Sequence, residues 1–111
     1  MSALREQHCA TSTAGMSLLN KDEIRDYQAH VDSDWHISKH GNGIERLVRF
    51  NNYYDTMSFV NAVAWIAHAE NHHPQLLVEY NRCQISYSTH DLGGLTENDY
   101  ICAAKIDALL E

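Results

Sequence analysis

No apolar run in this chain approaches the ~18 residues that a bilayer-spanning helix needs. Its first residues lack the charged-then-apolar order of a secretory signal. Cysteine is sparse and unpatterned: Cys9, Cys83 and Cys102 are odd in number and show no C-x-x-C spacing, which excludes a closed disulfide framework and a zinc knuckle. Basic residues are also few. With 8 Lys and Arg against 15 Asp and Glu, the net charge is -7, and the field of the whole molecule opposes a phosphate backbone, so direct nucleic-acid binding is not expected. Arg46 and Arg49 read as solvated edge charges. Gly93-Gly94 has neither the G-x-G-x-x-G pattern nor a P-loop lysine, so it reads as a turn. What these absences leave is a soluble cytoplasmic protein with reduced thiols, and 111 residues make one domain.

Residues 1–16, with Ser2, Thr11, Ser12, Thr13, Ala14 and Gly15, are small, polar and without periodicity. They read as a flexible N-terminal extension, leaving 17–111 as the folded domain. Asn20-Lys21-Asp22-Glu23 offers a capping box, and Ile24, Tyr27 and Val31 recur at helical spacing, which predicts a first helix over about 21–30. Trp35 to His40 and Ile44 to Phe50 flank Gly41-Asn42-Gly43 as a hairpin. In the second run Ile44, Arg46, Val48 and Phe50 share a face. Phe59, Val63 and Ile66 form the stripe of a helix from about Thr56 to His72, ended by Pro74. Leu76 to Tyr80 and Cys83 to Thr89 read as two more strands, and Thr96-Glu97-Asn98-Asp99 resembles a capping box before a last helix. Trp35, Phe50, Phe59 and Trp65 are core candidates. The order α-β-β-α-β-β-α builds an α+β fold: a four-stranded antiparallel sheet with helices packed on one face. Its open edges invite pairing with a second copy.

Function points to histidine. His72-His73-Pro74 closes the second predicted helix, and His90 follows a strand 17 residues after His73. Histidine is the side chain whose unperturbed pKa lies near neutrality, so three at element ends imply proton transfer. His72 would feel the partial negative charge of the last helical carbonyls, and Asp91 could charge His90 if the two face each other. A metal reading also exists, because His68 and His72 are four apart, hence on one helical face. Against it, Ala69 stands where H-E-x-x-H needs glutamate.

Glu70-Asn71-His72-His73-Pro74, Tyr80-Asn81, Ser88-Thr89-His90-Asp91-Leu92-Gly93-Gly94-Leu95-Thr96 and Asp99 together resemble the signature of the pterin carbinolamine dehydratases. The likeness runs from about Leu18 to Leu110 and includes Trp35 and Arg46-Leu47-Val48-Arg49-Phe50. It implies dehydration of a 4a-hydroxytetrahydropterin to a quinonoid dihydropterin, recycling the pterin spent by an aromatic amino acid hydroxylase. It further implies no metal and no organic cofactor, and a homodimer or homotetramer. By the same resemblance His72 and His90 match the acid–base histidines, and His73 matches one that holds the pterin. Pro74, Thr89, Asp91 and Leu92 match segments lining its pocket. His68 stands where many relatives carry glutamate and Asn71 where some carry aspartate; with Asp99 they form the set expected to support the catalytic histidines. Animal relatives also stabilise the dimer of a homeodomain transcription factor, which keeps a protein-binding role, and with it a nuclear location, alongside the enzyme.

Overall fold

The computed structural model describes residues 3–111; Met1 and Ser2, the start of the expected extension, lie outside the described residues. Helix α1 (Lys21–Gln28) opens on the anticipated box: the Asn20 side chain accepts from the Glu23 N–H and the Glu23 carboxylate accepts from the Asn20 N–H, both at 2.9 Å. Strands β1 (His36–Ile37) and β2 (Ile44–Arg49) follow, then α2 (Tyr53–Glu70), β3 (Gln75–Glu79), β4 (Arg82–Tyr87) and α3 (Glu97–Leu109). The sheet runs β1-β2-β4-β3, every neighbouring pair antiparallel. Element order and fold class are those expected from the sequence.

Register explains the core. Ile44 lies opposite Tyr87, Arg46 opposite Ile85 and Val48 opposite Cys83, while Leu76 and Val78 of β3 face Ile85 and Cys83. These inward residues make continuous rows across the sheet. Phe59 and Val63 of α2 and Tyr100, Ile101 and Ile106 of α3 belong to the same buried cluster. Glu45, Leu47 and Arg49 face the other way, which leaves Leu47 exposed.

Several boundaries move, each for a local reason. β1 is two residues rather than six, because Trp35 turns into the core and the chain closes a loop at once: Ser38 N–H donates to Gly43 O at 2.8 Å. Gly41 takes φ 75° there, and a Cβ on Gly43 would meet the Tyr87 carbonyl at 3.0 Å. Helix α2 starts earlier than expected because the Asn52 side chain caps it, accepting from the Asp55 N–H at 2.8 Å. Trp65 is 71 % exposed, a correction to its expected place in the core. The buried stripe of α2 runs through Thr56, Phe59, Val63 and Glu70, and Trp65, two positions beyond Val63, points away from it.

Arg46 is also not an edge charge. Its side chain is buried in the inward row, and its guanidinium donates to Asp107 Oδ1 at 2.6 Å, with Asp32 at 3.8 Å and Asp34 at 4.0 Å. Asp107 accepts from Trp35 Nε1 at 2.7 Å and from the Asp32 N–H at 2.8 Å as well, so one carboxylate of α3 ties down the loop before β1 and the middle of β2. Asp107→Ala is expected to cost about 2 kcal/mol in urea unfolding. That lies below the ~3–5 kcal/mol of a fully isolated buried charge because two aspartates remain nearby. An unchanged midpoint would return Arg46 to the solvated class.

Residues 3–16 do not behave as a free extension. A 3-10 turn, Leu4–Glu6, packs on α3, Cys9 is buried in the core cluster, and the Ala10 N–H donates to Asn98 Oδ1 at 3.0 Å. Leu4–Glu6, α1 and α2 all pack on α3, and Asn98 through Ala104 are all buried.

Candidate active site

The end of α2 sets the first histidine. Asn71 adopts φ 52°, ψ 42°, the left-handed conformation that asparagine tolerates better than most residues. Its N–H donates to His68 O at 3.2 Å, and the next N–H, of His72, donates to Ala67 O at 3.0 Å. This is the paired closure of a Schellman motif. The helix therefore stops at Glu70, and His72 leaves the helical surface rather than sitting in its last turn. The expectation that His68 and His72 share one face is overturned for the same reason: His68 is exposed, 6.1 Å from Trp65 by ring centroids. Among the described residues no group of three or more His, Cys, Asp or Glu is arranged to hold a metal ion.

His72 lands in a built environment. Its Nε2 lies 2.6 Å from Asp99 Oδ1, and Asp99 is fully buried. The other Asp99 oxygen accepts from Thr89 Oγ1 and from the Thr96 N–H, each at 2.9 Å. One carboxylate thus caps α3 and anchors the imidazole, two tasks of which the sequence revealed the first. Tyr87 stacks beneath the His72 ring at 5.2 Å and 21°, and its hydroxyl donates to the His72 carbonyl at 3.1 Å. Burial pushes the Tyr87 phenol pKa up, so it stays a neutral donor. For His72, burial favours the neutral ring, but the hydrogen bond and charge of Asp99 outweigh it and the net pKa lies above the ordinary value.

His73 precedes Pro74, whose ring disfavours the helical region for it, and His90 opens a 3-10 turn, His90–Leu92, closed by Gly93 at φ 73°. All three histidines line one cleft of about 570 Å³, with Asn71, Ser88, Thr89 and Asp91. His73 and His90 also line an adjoining hollow of about 420 Å³ that includes Pro74, Gln75 and Glu45. Leu92 lines neither. The carboxylate of Asp91 is taken by Thr13 Oγ1 at 3.4 Å.

The opposite wall of the larger cleft was not anticipated. Ala10, Thr11, Ser12 and Thr13 form it, together with Asn98. Asn98 Oδ1 accepts from the Ala10 N–H at 3.0 Å and its Nδ2 donates to Ala10 O at 3.3 Å, an amide pairing that holds the segment as a strand would. Glu70 completes the anchorage, accepting from the Cys9 N–H at 2.7 Å and lying 2.9 Å from His8 Nδ1. Burial raises the Glu70 pKa, yet the Cys9 amide, His8 and Lys105 overcome it and the net shift is downward. Its contribution to docking is therefore present above the ordinary carboxylate value and lost as pH falls through the lowered one. Glu70→Ala is expected to speed tryptic cleavage after Arg5 by about tenfold, from ~1–3 kcal/mol of unmet buried donors; an unchanged rate would show that Glu70 does not hold the segment. Only the run of small hydroxyl residues at 11–13 hinted at this wall.

The family model for pterin 4 alpha carbinolamine dehydratase matches residues 17–109. The chain belongs to that family. Among curated relatives provisionally named pterin-4-alpha-carbinolamine dehydratase, one from Nitrosomonas eutropha is 46% identical over 107 residues, covering 96% of this chain and 93% of the relative. Another, from Legionella pneumophila strain Corby, is 46% identical over 109 residues, covering 98% and 96%. A crystal structure of a transcriptional coactivator/pterin dehydratase from Brucella melitensis aligns with TM-score 0.81 at 26% identity, covering 86% of this chain and all of that one. The family match begins at residue 17, so the segment that walls the cleft lies outside it. No helix among the described residues is long and apolar enough to cross a membrane.

Proposed function

We propose that this protein removes water from a 4a-hydroxytetrahydropterin to give the quinonoid dihydropterin, by acid–base catalysis from His72 and His90. The observation that carries the reading is the convergence of His72, His73 and His90, from two separate segments, on one cleft beside a buried carboxylate. Membership of the dehydratase family supports it.

Expelling hydroxide from the bridgehead carbon needs a proton delivered to the departing oxygen, and the new double bond needs one removed from the adjacent ring nitrogen. The exchange is redox-neutral, so side-chain acids and bases suffice, without metal or organic cofactor. His72 suits the donor role because Asp99 favours its protonated form. With Nε2 held by Asp99, Nδ1 is the nitrogen left to exchange the proton. His90, exposed at the start of its turn, takes the base role, and His73 holds the ring. Thr89, Asp91 and Pro74 border the space where a flat heterocycle would lie, and backbone amides there can read its amide-like edge. Leu92 acts through the turn that sets His90. Of the remaining supporting positions, Asn71 acts as the helix-ending residue and Asp99 as the partner of His72, whereas exposed His68 has no part in the mechanism.

In its biological setting the reaction would follow an aromatic amino acid hydroxylase in tetrahydrobiopterin recycling, in the cytoplasm. A homodimer or homotetramer fits the short, open edge strands β1 and β3. The decisive measurement follows the ultraviolet absorbance of freshly generated 4a-hydroxytetrahydropterin. Acceleration over buffer that scales with protein concentration is expected, and a rate equal to buffer would reject the reading.

A further inference from the structure

The two sulfurs under the cleft wall carry chemistry that the dehydration does not use. Cys9 and Cys102 are 93 positions apart in the chain, and folding sets their Sγ atoms 3.6 Å apart. Both are free and buried, Cys9 at 8 % exposure at the margin and Cys102 at 0 % within α3. Cys9 Sγ also approaches Asn98 O at 3.6 Å, and Cys102 Sγ lies 4.0 Å from the His72 carbonyl. A buried free cysteine ordinarily packs as a small hydrophobe, as Cys83 does in β4. Facing sulfurs on separate segments are different, since a disulfide needs them about 2.05 Å apart. The remaining gap can be closed by side-chain rotation and a small shift of Cys9, which sits in irregular backbone rather than in a helix or strand.

We propose that Cys9 and Cys102 form a reversible intramolecular disulfide on exposure to a hydroperoxide, and that this bond fastens residues 10–13 as the wall of the histidine cleft. One sulfur attacks a peroxide oxygen and breaks the O–O bond, giving a sulfenic acid and one water. The second sulfur displaces that hydroxyl, forming the S–S bond and a second water. Two thiols and one hydrogen peroxide thus become one disulfide and two waters; both electrons come from sulfur, and both thiol protons leave in water. A dithiol reverses it by exchange. Cys9, at the margin, is the sulfur that a hydroperoxide reaches first, and the hydrogen bond from Cys9 that lowers the Cys102 pKa suits Cys102 to displace the sulfenic hydroxyl. Covalent closure between positions 9 and 102 adds to an anchorage that otherwise rests on the hydrogen bonds of Glu70 and Asn98. The proposal does not rest on the dehydratase reading, because the sulfurs face each other whatever the cleft binds.

The test treats the whole protein with hydrogen peroxide at low molar excess, blocks residual thiols and measures intact mass. Wild type and Cys83→Ala are expected to lose two hydrogens per chain and regain them with dithiothreitol, while Cys9→Ala and Cys102→Ala are not. Fragmentation of the oxidised wild type, which needs no variant, should place the link between Cys9 and Cys102. Proteinase K cutting within residues 10–16 should then slow severalfold relative to the reduced protein. Oxygen added to separate cysteines, chains linked to one another, or a link to Cys83 would overturn the disulfide. Equal cutting of both forms would overturn its fastening of the wall.

Discussion

His72→Ala is expected to slow 4a-hydroxytetrahydropterin dehydration by about 10²–10⁴-fold, the range that one positioned proton-transfer group supplies. The loss should fall on kcat, because the ring acts on the departing oxygen in the transition state rather than on ground-state binding. His90→Ala should cost a comparable factor, and the double variant much less than the product of the two, since an acid and a base serving one concerted transfer act as a unit. His73→Ala is expected to raise KM more than it lowers kcat, in keeping with a ring-holding role. Full activity in His72→Ala at neutral pH would end the assignment, whatever the family.

Asp99→Ala is expected to remove about 3–5 kcal/mol of stability, measured by urea unfolding. Asp99 is fully buried and serves His72 Nε2, Thr89 Oγ1 and the Thr96 N–H at once; alanine would strand the Thr96 N–H and His72 Nε2 and leave Thr89 Oγ1 with Thr96 Oγ1 alone, 2.7 Å away. Asp99→Asn separates the electrostatics from the packing. The folded-state pKa of His72 lies above its ordinary value of 6.5. The stability it contributes is thus complete below 6.5 and lost as pH rises through the raised value. In Asp99→Asn the carboxylate charge is gone, burial dominates, and the sign reverses: stability from His72 should then increase with pH. The stability gap between wild type and Asp99→Asn should therefore narrow as pH rises through neutrality. In the dehydration assay the alkaline limb that reports protonated His72 should move to lower pH. A gap independent of pH would mean that the 2.6 Å contact does not set the charge of His72.

Much of the fold was written in short-range patterns. Alternation in 44–48 and 83–87 fixed which residues of β2 and β4 point inward, Arg46 among them, because a strand's period of two leaves no other choice once Ile44 and Val48 are buried. Capping chemistry marked the starts of α1 and α3. The start of α2 was missed because Asn52 sits among polar neighbours, and its end because Asn71 resembles any other helical asparagine until it takes a positive φ. Ring size alone does not decide burial, as exposed Trp65 shows. Charge alone does not decide exposure either: Arg46 shares the inward face of β2, and Asp107, 61 positions away, supplies the partner that lets it lie buried there.

The candidate site divides along the same line. The sequence by itself determined the α+β order and the chemical identity of His72, His73 and His90. These follow from local periodicity, capping and titration chemistry, which need no distant partner. Only the tertiary structure decided that Asp99 holds His72, that His68 stands apart, and that residues 10–13 close the cleft with Cys9 set against Cys102. The separation of His68 is set locally by the left-handed turn at Asn71; the others depend on contacts between positions 27 to 93 residues apart, and folding, not neighbourhood in the chain, brings such groups within a hydrogen bond's length.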